Sequence, residues 1–156
     1  MVQTRFMNWK TILVPHDFSS SANHAAALAR DEAKVHGGTV ILLHVVELPR
    51  QLPADAAVVS AEGGMVTIRD YAMSAAQAHL TDLAARLAKD GIVATTQLRS
   101  GNPVDEINRF AEEAKVDLIV MGTHGHTGVR AWLAGSVTEK VIRSAKVPVL
   151  TVRHPD

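Results

Sequence analysis

The chain has 156 residues, a length that predicts one domain large enough to bury a core without disulfides or structural metals. Its sixteen Lys and Arg residues are balanced by sixteen Asp and Glu residues, and this neutrality argues against binding to nucleic acid or to an anionic membrane. The absence of cysteine excludes disulfides, thiol redox chemistry and cysteine-based zinc sites.

The first half of the chain alternates strand-like and helix-like segments. Residues 11–14 form a short apolar run that ends at Pro15, and residues 20–36 have the pattern of an alanine-rich helix closed by two glycines. Residues 39–46 are apolar on both faces, which predicts a central strand. Residues 47–64 contain prolines and glycines without a clear period, so we expect a long loop there.

The second half continues this alternation. The predicted elements are a helix over 65–89, a strand over 92–98, a helix capped by Asn102 with Pro103 at its first position, a strand over 117–121, a helix over 136–144 and a strand over 147–152. The strand over 92–98 is polar, and Pro148 lacks an N–H to donate to a neighbouring strand. Both features predict edge strands.

Five strands that alternate with four helices predict an α/β fold: an open, doubly wound, five-stranded parallel sheet with helices on both faces. With the third and fifth strands at the edges, the predicted strand order is 3-2-1-4-5. This order reverses direction between strands one and four, and ligands of such sheets bind at the carboxyl ends of the strands beside the reversal. The turn after strand one and the segment after strand four therefore meet at the predicted site.

The segment after strand four carries the most informative motif of the chain. It reads MGTHGHTGVRAWLAGS and places glycines at Gly122, Gly125 and Gly135, with Ser136 opening the next helix. Glycines allow the backbone to approach a ligand closely, and the N-terminus of a helix presents unpaired N–H groups to an anion. The pattern predicts a phosphate cradle, although Gly122 and Gly125 are also compatible with simply ending a strand and turning the chain.

The spacing G-x2-G-x9-G-[S/T] resembles the nucleotide motif of the ATP-binding branch of the universal stress protein family. The segments KTILVPHDFSSSANHA, TVILLHVV and VPVLTV resemble the first, second and last strands of that family, so the resemblance extends from Lys10 to Arg153. It implies the adenine nucleotide alpha hydrolase-like fold. We expect residues 10–154 to form the universal stress protein domain and residues 1–9 to be a flexible N-terminal segment.

The resemblance also implies a set of nucleotide-binding residues. They are Pro15, His16 and Asp17 for the nucleoside, Val45 for the adenine pocket, and Met121, Gly122, His124, Gly125, Gly135, Ser136, Val137 and Thr138 for the sugar and phosphates. A carboxylate at Asp17 can accept hydrogen bonds from two ribose hydroxyls. The same carboxylate could instead belong only to the N-cap region of the first helix, beside Ser19. The implied ligand is ATP with Mg²⁺ on its phosphates, and no protein-held metal is expected.

The motifs that are missing bear on catalysis. The chain has no G-x4-G-K-[S/T] loop, no G-x-S-x-G elbow and no H-x-G-H after the first strand, so we assign no catalytic residue. We expect an ATP-binding universal stress protein with a regulatory or protective role. The alternatives are a slow ATPase or phosphotransferase that uses Asp17 or a loop histidine, and a dimeric interaction module that binds no nucleotide.

The expected partners follow from the same features. The apolar runs are of strand length, and the N-terminal residues show no signal peptide, so we expect a cytoplasmic protein without a membrane partner. The resemblance implies a homodimer through the last strand and a further protein partner that is unknown.

Overall fold

The computed structural model describes residues 7–48, 51, 53, 55–123 and 136–153. The strands within these ranges are β1 (Thr11–Pro15), β2 (Thr39–Val46), β3 (Ala57–Val59), β4 (Met65–Thr67), β5 (Ala94–Ser100), β6 (Leu118–Gly122) and β7 (Val149–Val152). The helices are α1 (Ser20–His36), α2 (Ile68–Lys89), α3 (Pro103–Glu113) and α4 (Val137–Ser144). None of the helices in these ranges has the length and apolarity that crossing a membrane requires.

Five of the strands form one parallel sheet in the order β5-β2-β1-β6-β7. With these strands counted one to five along the chain, the order is 3-2-1-4-5, and it confirms the predicted topology. The reversal falls between β1 and β6, where Leu13 pairs with Ile119. The site predicted at this reversal therefore lies where the turn after β1 meets the segment after β6.

Helices cover both faces of the sheet. Along β1, Ile12 and Val14 belong to the core that is shared with α1 and α2, whereas Leu13 belongs to the core that is shared with α3 and α4. All three side chains are fully buried. Burial of a side chain of this size stabilises the fold by about 1.5–3 kcal/mol. Because successive residues face opposite layers that are both apolar, β1 reads as a continuous apolar run rather than as an alternating one.

The segment predicted as a long loop contains the first strand and the turn of a short hairpin, so that prediction was wrong in part. β3 and β4 pair antiparallel, and the turn between them is closed by a 2.7 Å bond from the Ser60 N–H to the Gly64 carbonyl. Helix α2 begins only at Ile68 because residues 65–67 form β4, and the Thr67 side chain caps it by accepting from the Asp70 N–H at 3.0 Å. Three-residue strands are too short to show a period in the sequence.

Two strands begin two residues later than predicted. β5 begins at Ala94 rather than at residue 92 because the Ile92 N–H donates to the Leu87 carbonyl at 3.2 Å, which closes the end of α2. Pro148 lies before β7, where its carbonyl accepts from the Ile119 N–H at 3.0 Å. The predicted edge positions of β5 and β7 are nevertheless confirmed.

Candidate functional site

The carboxyl ends of β1 and β6 open into a cavity of about 250 Å³, which we call the β1–β6 cavity. It lies at the start of α1 and α4, beside the reversal in strand order. Its described lining consists of Pro15, Asp17, Ser19, Ala22, Ile107, Met121, Gly122, Thr123, Ser136, Val137 and Thr138. The cavity therefore unites the turn after the first strand with both sides of the glycine motif.

Asp17 projects from the turn that joins β1 to α1, and its side chain is exposed. Its Oδ1 accepts from the Ser19 N–H at 3.0 Å and from the Ser19 hydroxyl at 2.5 Å. The Ser19 Oγ in turn accepts from the Ala22 N–H at 3.1 Å, so Ser19 is the N-cap of α1 and Asp17 braces it. Within the described residues, Oδ2 has no hydrogen-bond donor, which leaves one carboxylate oxygen to accept from a ligand.

Gly122 ends β6 directly against α1. A Cβ atom added to it would lie 2.7 Å from the carbonyl carbon of Ser21 and would also overlap the Ser21 side chain. This close approach makes glycine necessary for the packing of α1 on β6, independently of any ligand. Gly122 therefore has the structural role that the sequence left open, whether or not it also contacts a ligand.

The start of α4 is fixed to the end of β6. The Thr138 hydroxyl donates to the Gly122 carbonyl at 2.8 Å, and the Ser136 Oγ accepts from the Glu139 N–H at 3.1 Å. The first N–H groups of a helix have no acceptor within it, and only the Glu139 N–H is satisfied by the cap. Among the described residues, the N–H groups of Val137 and Thr138 have no acceptor. Both residues line the cavity, so a ligand there could supply one.

The structure brings together seven of the twelve residues implied by the family resemblance. Those lining the β1–β6 cavity are Pro15, Asp17, Met121, Gly122, Ser136, Val137 and Thr138. Val45 does not line it and instead packs against the core between the sheet and α3. His124, Gly125 and Gly135 lie outside the described residues.

His16 turns away from this cavity. Its backbone N–H donates to the Leu43 carbonyl at 2.8 Å, and its carbonyl accepts from His44 Nδ1 at 2.7 Å. The side chain is only 4% exposed, and burial lowers the pKa of His16 from its ordinary value of 6.5 to about 4, against the opposing effects of Asp17 and Asn23. At neutral pH the His16 ring is therefore uncharged.

Four residues that line the cavity were not among the implied site residues: Ser19, Ala22, Ile107 and Thr123. Ser19 had a signal in the sequence, since it precedes a helix pattern directly, and Thr123 follows the first glycine of the motif. Ala22 and Ile107 belong to the apolar stripes of α1 and α3, and their periodicity is that of ordinary core residues. The local sequence pattern does not distinguish an apolar residue in a cavity wall from an apolar residue in the core.

Comparisons with known proteins identify a matching family and similar solved structures. The model of the family described as "Universal stress protein family" matches residues 8–153. Universal stress protein MJ0531 of Methanocaldococcus jannaschii is 36% identical over 149 residues, which cover 94% of this chain and 84% of that protein. The solved structure of hypothetical protein MJ0577 of the same organism matches with a TM-score of 0.75 at 29% identity, over 96% of this chain and 99% of that chain. A universal stress protein solved in complex with cAMP matches with a TM-score of 0.71 at 25% identity, over 96% of this chain and 99% of that chain.

Proposed function

The chain belongs to the universal stress protein family, and we propose that it binds ATP in the β1–β6 cavity. One observation carries the proposal: the cavity joins the Asp17 carboxylate to the N-terminus of α4, although the two are more than a hundred residues apart in sequence. The similar universal stress protein in complex with cAMP supports an adenine nucleotide as the ligand.

The polar groups of the cavity fit the two ends of a nucleotide. The free oxygen of Asp17 is suited to accept from ribose hydroxyls, because its partner oxygen is already held by Ser19. The start of α4 is suited to phosphate oxygens, because the N–H groups of Val137 and Thr138 have no acceptor among the described residues and that helix end carries a partial positive charge. Charge-assisted hydrogen bonds of this kind contribute about 1.5–3 kcal/mol each.

Mg²⁺ would be held by the phosphates of the nucleotide rather than by the protein. Along the described lining, Asp17 is the only acidic side chain, and it is already braced by Ser19. A divalent cation prefers several oxygen ligands, which phosphates and water can supply. We therefore expect nucleotide binding to be strengthened by Mg²⁺, with no metal site in the absence of nucleotide.

The proposed role is regulatory or protective rather than catalytic. A general base for water would have to lie within hydrogen-bond reach of the attacking oxygen. The described lining contains no histidine, lysine or cysteine, and the free oxygen of Asp17 is assigned to the ribose rather than to the phosphates. Phosphate release that Asp17→Ala abolishes while ATP binding survives would favour the alternative, a slow ATPase or phosphotransferase.

We also propose that the chain forms a homodimer through β7. The Pro148 carbonyl accepts from the Ile119 N–H, and the Val152 carbonyl accepts from the N–H of Thr123. Because backbone groups alternate sides along a strand, the N–H of Thr151 points away from β6. An edge strand with such free groups is a template for pairing with a second copy. The protein partner and the cytoplasmic location stay predictions from the sequence.

The experiment that tests ATP binding begins with the purified chain. Denaturation followed by mass spectrometry identifies any nucleotide carried through purification, and calorimetric titration of the nucleotide-free chain with ATP and Mg²⁺ measures its affinity. Bound adenine nucleotide, or a Kd on the order of micromolar, supports the proposal. A chain that carries no nucleotide and gives no heat supports the alternative, a dimeric module that binds none.

A further inference from the structure

The turn between β1 and α1 presents successive side chains to two different cavities. Asp17 and Ser19 line the β1–β6 cavity, whereas His16 and Phe18 line a second cavity, of about 240 Å³, beside α1 and α2. Phe18 is therefore the residue that joins Asp17 to Ser19, although its own side chain lies at the other cavity.

Phe18 has a backbone conformation that its residue type rarely adopts. Its φ is +65°, in the left-handed region that glycine enters without strain and most other residues do not. In the described ranges, Lys115, at +51°, is the only other residue apart from glycine with a positive φ. A bulky residue stays in this region only where its surroundings hold it there, and such residues are concentrated at functional sites. The contacts of Phe18 must therefore offset the strain.

Three histidine rings pack around the Phe18 ring. The ring centroids lie 4.5 Å apart for His44 on β2, 5.0 Å apart and edge to face for His79 on α2, and 5.5 Å apart for His16 in the turn. Phe18 also packs against the core that the sheet shares with α1 and α2. Aromatic pairs at these separations attract each other beyond the effect of burial alone. The ring thus anchors the turn to β2 and α2.

The backbone of Phe18 controls the geometry of the Asp17 carboxylate. Oδ1 of Asp17 accepts from the N–H of Ser19 at 3.0 Å and from its hydroxyl at 2.5 Å, so these bonds close a ring across Phe18. The Phe18 N–H donates to His16 Nδ1 at 3.1 Å, which fixes the start of the same turn. Rotation about the φ bond of Phe18 would carry the two Ser19 donors away from Asp17. The braced carboxylate therefore depends on the left-handed conformation of Phe18.

We propose that Phe18 is a positioning residue for the nucleotide: the contacts of its ring hold the turn in the left-handed conformation in which Ser19 braces the Asp17 carboxylate. This inference rests on the proposed binding of ATP in the β1–β6 cavity. Phe18 does not line that cavity, so its effect passes through the backbone. Without the ring, the turn stays populated only if residue 18 tolerates a left-handed φ. The apparent Kd rises in proportion as the binding-competent conformation becomes less populated.

The test replaces Phe18 by Ala, Asn or Gly, which all lack the ring but adopt a left-handed φ with increasing ease in that order. Calorimetric titration with ATP and Mg²⁺ measures the Kd, and urea denaturation measures the stability. We expect Phe18→Ala to raise the Kd about tenfold, Phe18→Asn to raise it less, and Phe18→Gly to change it by no more than about twofold. Because all three variants lose the ring contacts, a merely structural role would give all three the same Kd.

The matched control is Lys115→Gly, which relieves a left-handed φ at a residue that does not line the β1–β6 cavity. We expect it to leave the Kd unchanged. Equal Kd values for the three Phe18 variants, or a higher Kd for Phe18→Gly than for Phe18→Ala, would overturn the role of Phe18 while leaving ATP binding in place.

Hydrogen exchange at the Ser19 amide gives a second readout that needs no nucleotide. This amide donates to Asp17 Oδ1, so we expect its protection to be retained in Phe18→Gly and lost in Phe18→Ala. Equal protection in the two variants would overturn the inference. A wild type that binds no ATP would overturn the proposed function instead, and the exchange measurement would still decide whether Phe18 holds the turn.

Discussion

The backbone of Gly122 packs directly on Ser21, so that β6 and α1 meet where any Cβ atom at position 122 would lie 2.7 Å from the Ser21 carbonyl carbon. We expect Gly122→Ala to lower the free energy of unfolding by about 1–3 kcal/mol, because the contact must open to admit the methyl group. Urea denaturation measures this effect.

The control for this substitution is Gly64→Ala in the β3–β4 turn. A Cβ atom at Gly64 would meet only the Ser60 hydroxyl at 3.7 Å, an ordinary contact distance. We expect a change within about 0.5 kcal/mol at that position. Equal effects of the two substitutions would show that the α1–β6 contact is not as close as described.

Thr138 is expected to stabilise the fold through its hydroxyl rather than through its shape. The hydroxyl donates to the Gly122 carbonyl at 2.8 Å, and Thr138→Val keeps the branched side chain but removes that donor. We expect Thr138→Val to destabilise the chain by about 1 kcal/mol, and Thr138→Ser to retain most of the stability. Thermal unfolding compares the two, and the reverse ranking would exclude the hydrogen bond as the cause.

His16 is expected to make the chain sensitive to acid. Its pKa is lowered by burial to about 4 in the folded chain, so the unfolded chain takes up the proton first as the pH falls below 6.5. The neutral His16 ring therefore makes its full contribution to the free energy of unfolding above pH 6.5. This contribution falls by up to about 3 kcal/mol as the pH falls towards 4.

The variant His16→Asn tests this assignment, because an Asn side-chain oxygen can still accept from the Phe18 N–H but does not titrate. The free energy of unfolding, measured by urea denaturation at several pH values, should fall less steeply in the variant between pH 6.5 and 4. Parallel pH curves for the two proteins would assign the acid sensitivity to other groups.

The N–H of Thr151 is expected to take part in pairing between copies. Thr151→Pro removes this donor but spares the bonds from Ile119 and Thr123 to the carbonyls of Pro148 and Val152. We expect Thr151→Pro to weaken the dimer and Thr151→Val, which keeps the N–H, to preserve it, as measured by sedimentation equilibrium. A wild-type chain that stays monomeric at high concentration would contradict the proposed dimer.

The sequence predicted the sheet order because its strands and helices are strongly patterned. Runs such as residues 39–46 are apolar on both faces, which suits only a strand covered by helices on both sides. The β3–β4 hairpin was not predicted because each of its strands has only three residues. Their pairing is held together at one turn, where the Ser60 N–H bonds the Gly64 carbonyl. Pairing partners of such short strands are decided by tertiary contacts.

The site was predictable in part for a similar reason. Asp17 and Gly122 stand out because they lie just after β1 and at the end of β6, the two strands beside the reversal in strand order. The dual role of Gly122 was not resolved by the sequence, since its contact with Ser21 joins residues about a hundred positions apart. Nor did local pattern indicate that His16 and Asp17 line different cavities on either side of the turn.

The most direct test of ATP binding in the β1–β6 cavity is calorimetric titration of the wild type and Asp17→Asn with ATP and Mg²⁺. An Asn at position 17 can keep the acceptor that Ser19 uses but replaces the free carboxylate oxygen by a donor. We predict one nucleotide bound per chain and a Kd about tenfold to 100-fold higher in the variant, at unchanged stability. Equal affinity of the two proteins, or no binding by the wild type, would contradict the proposed site.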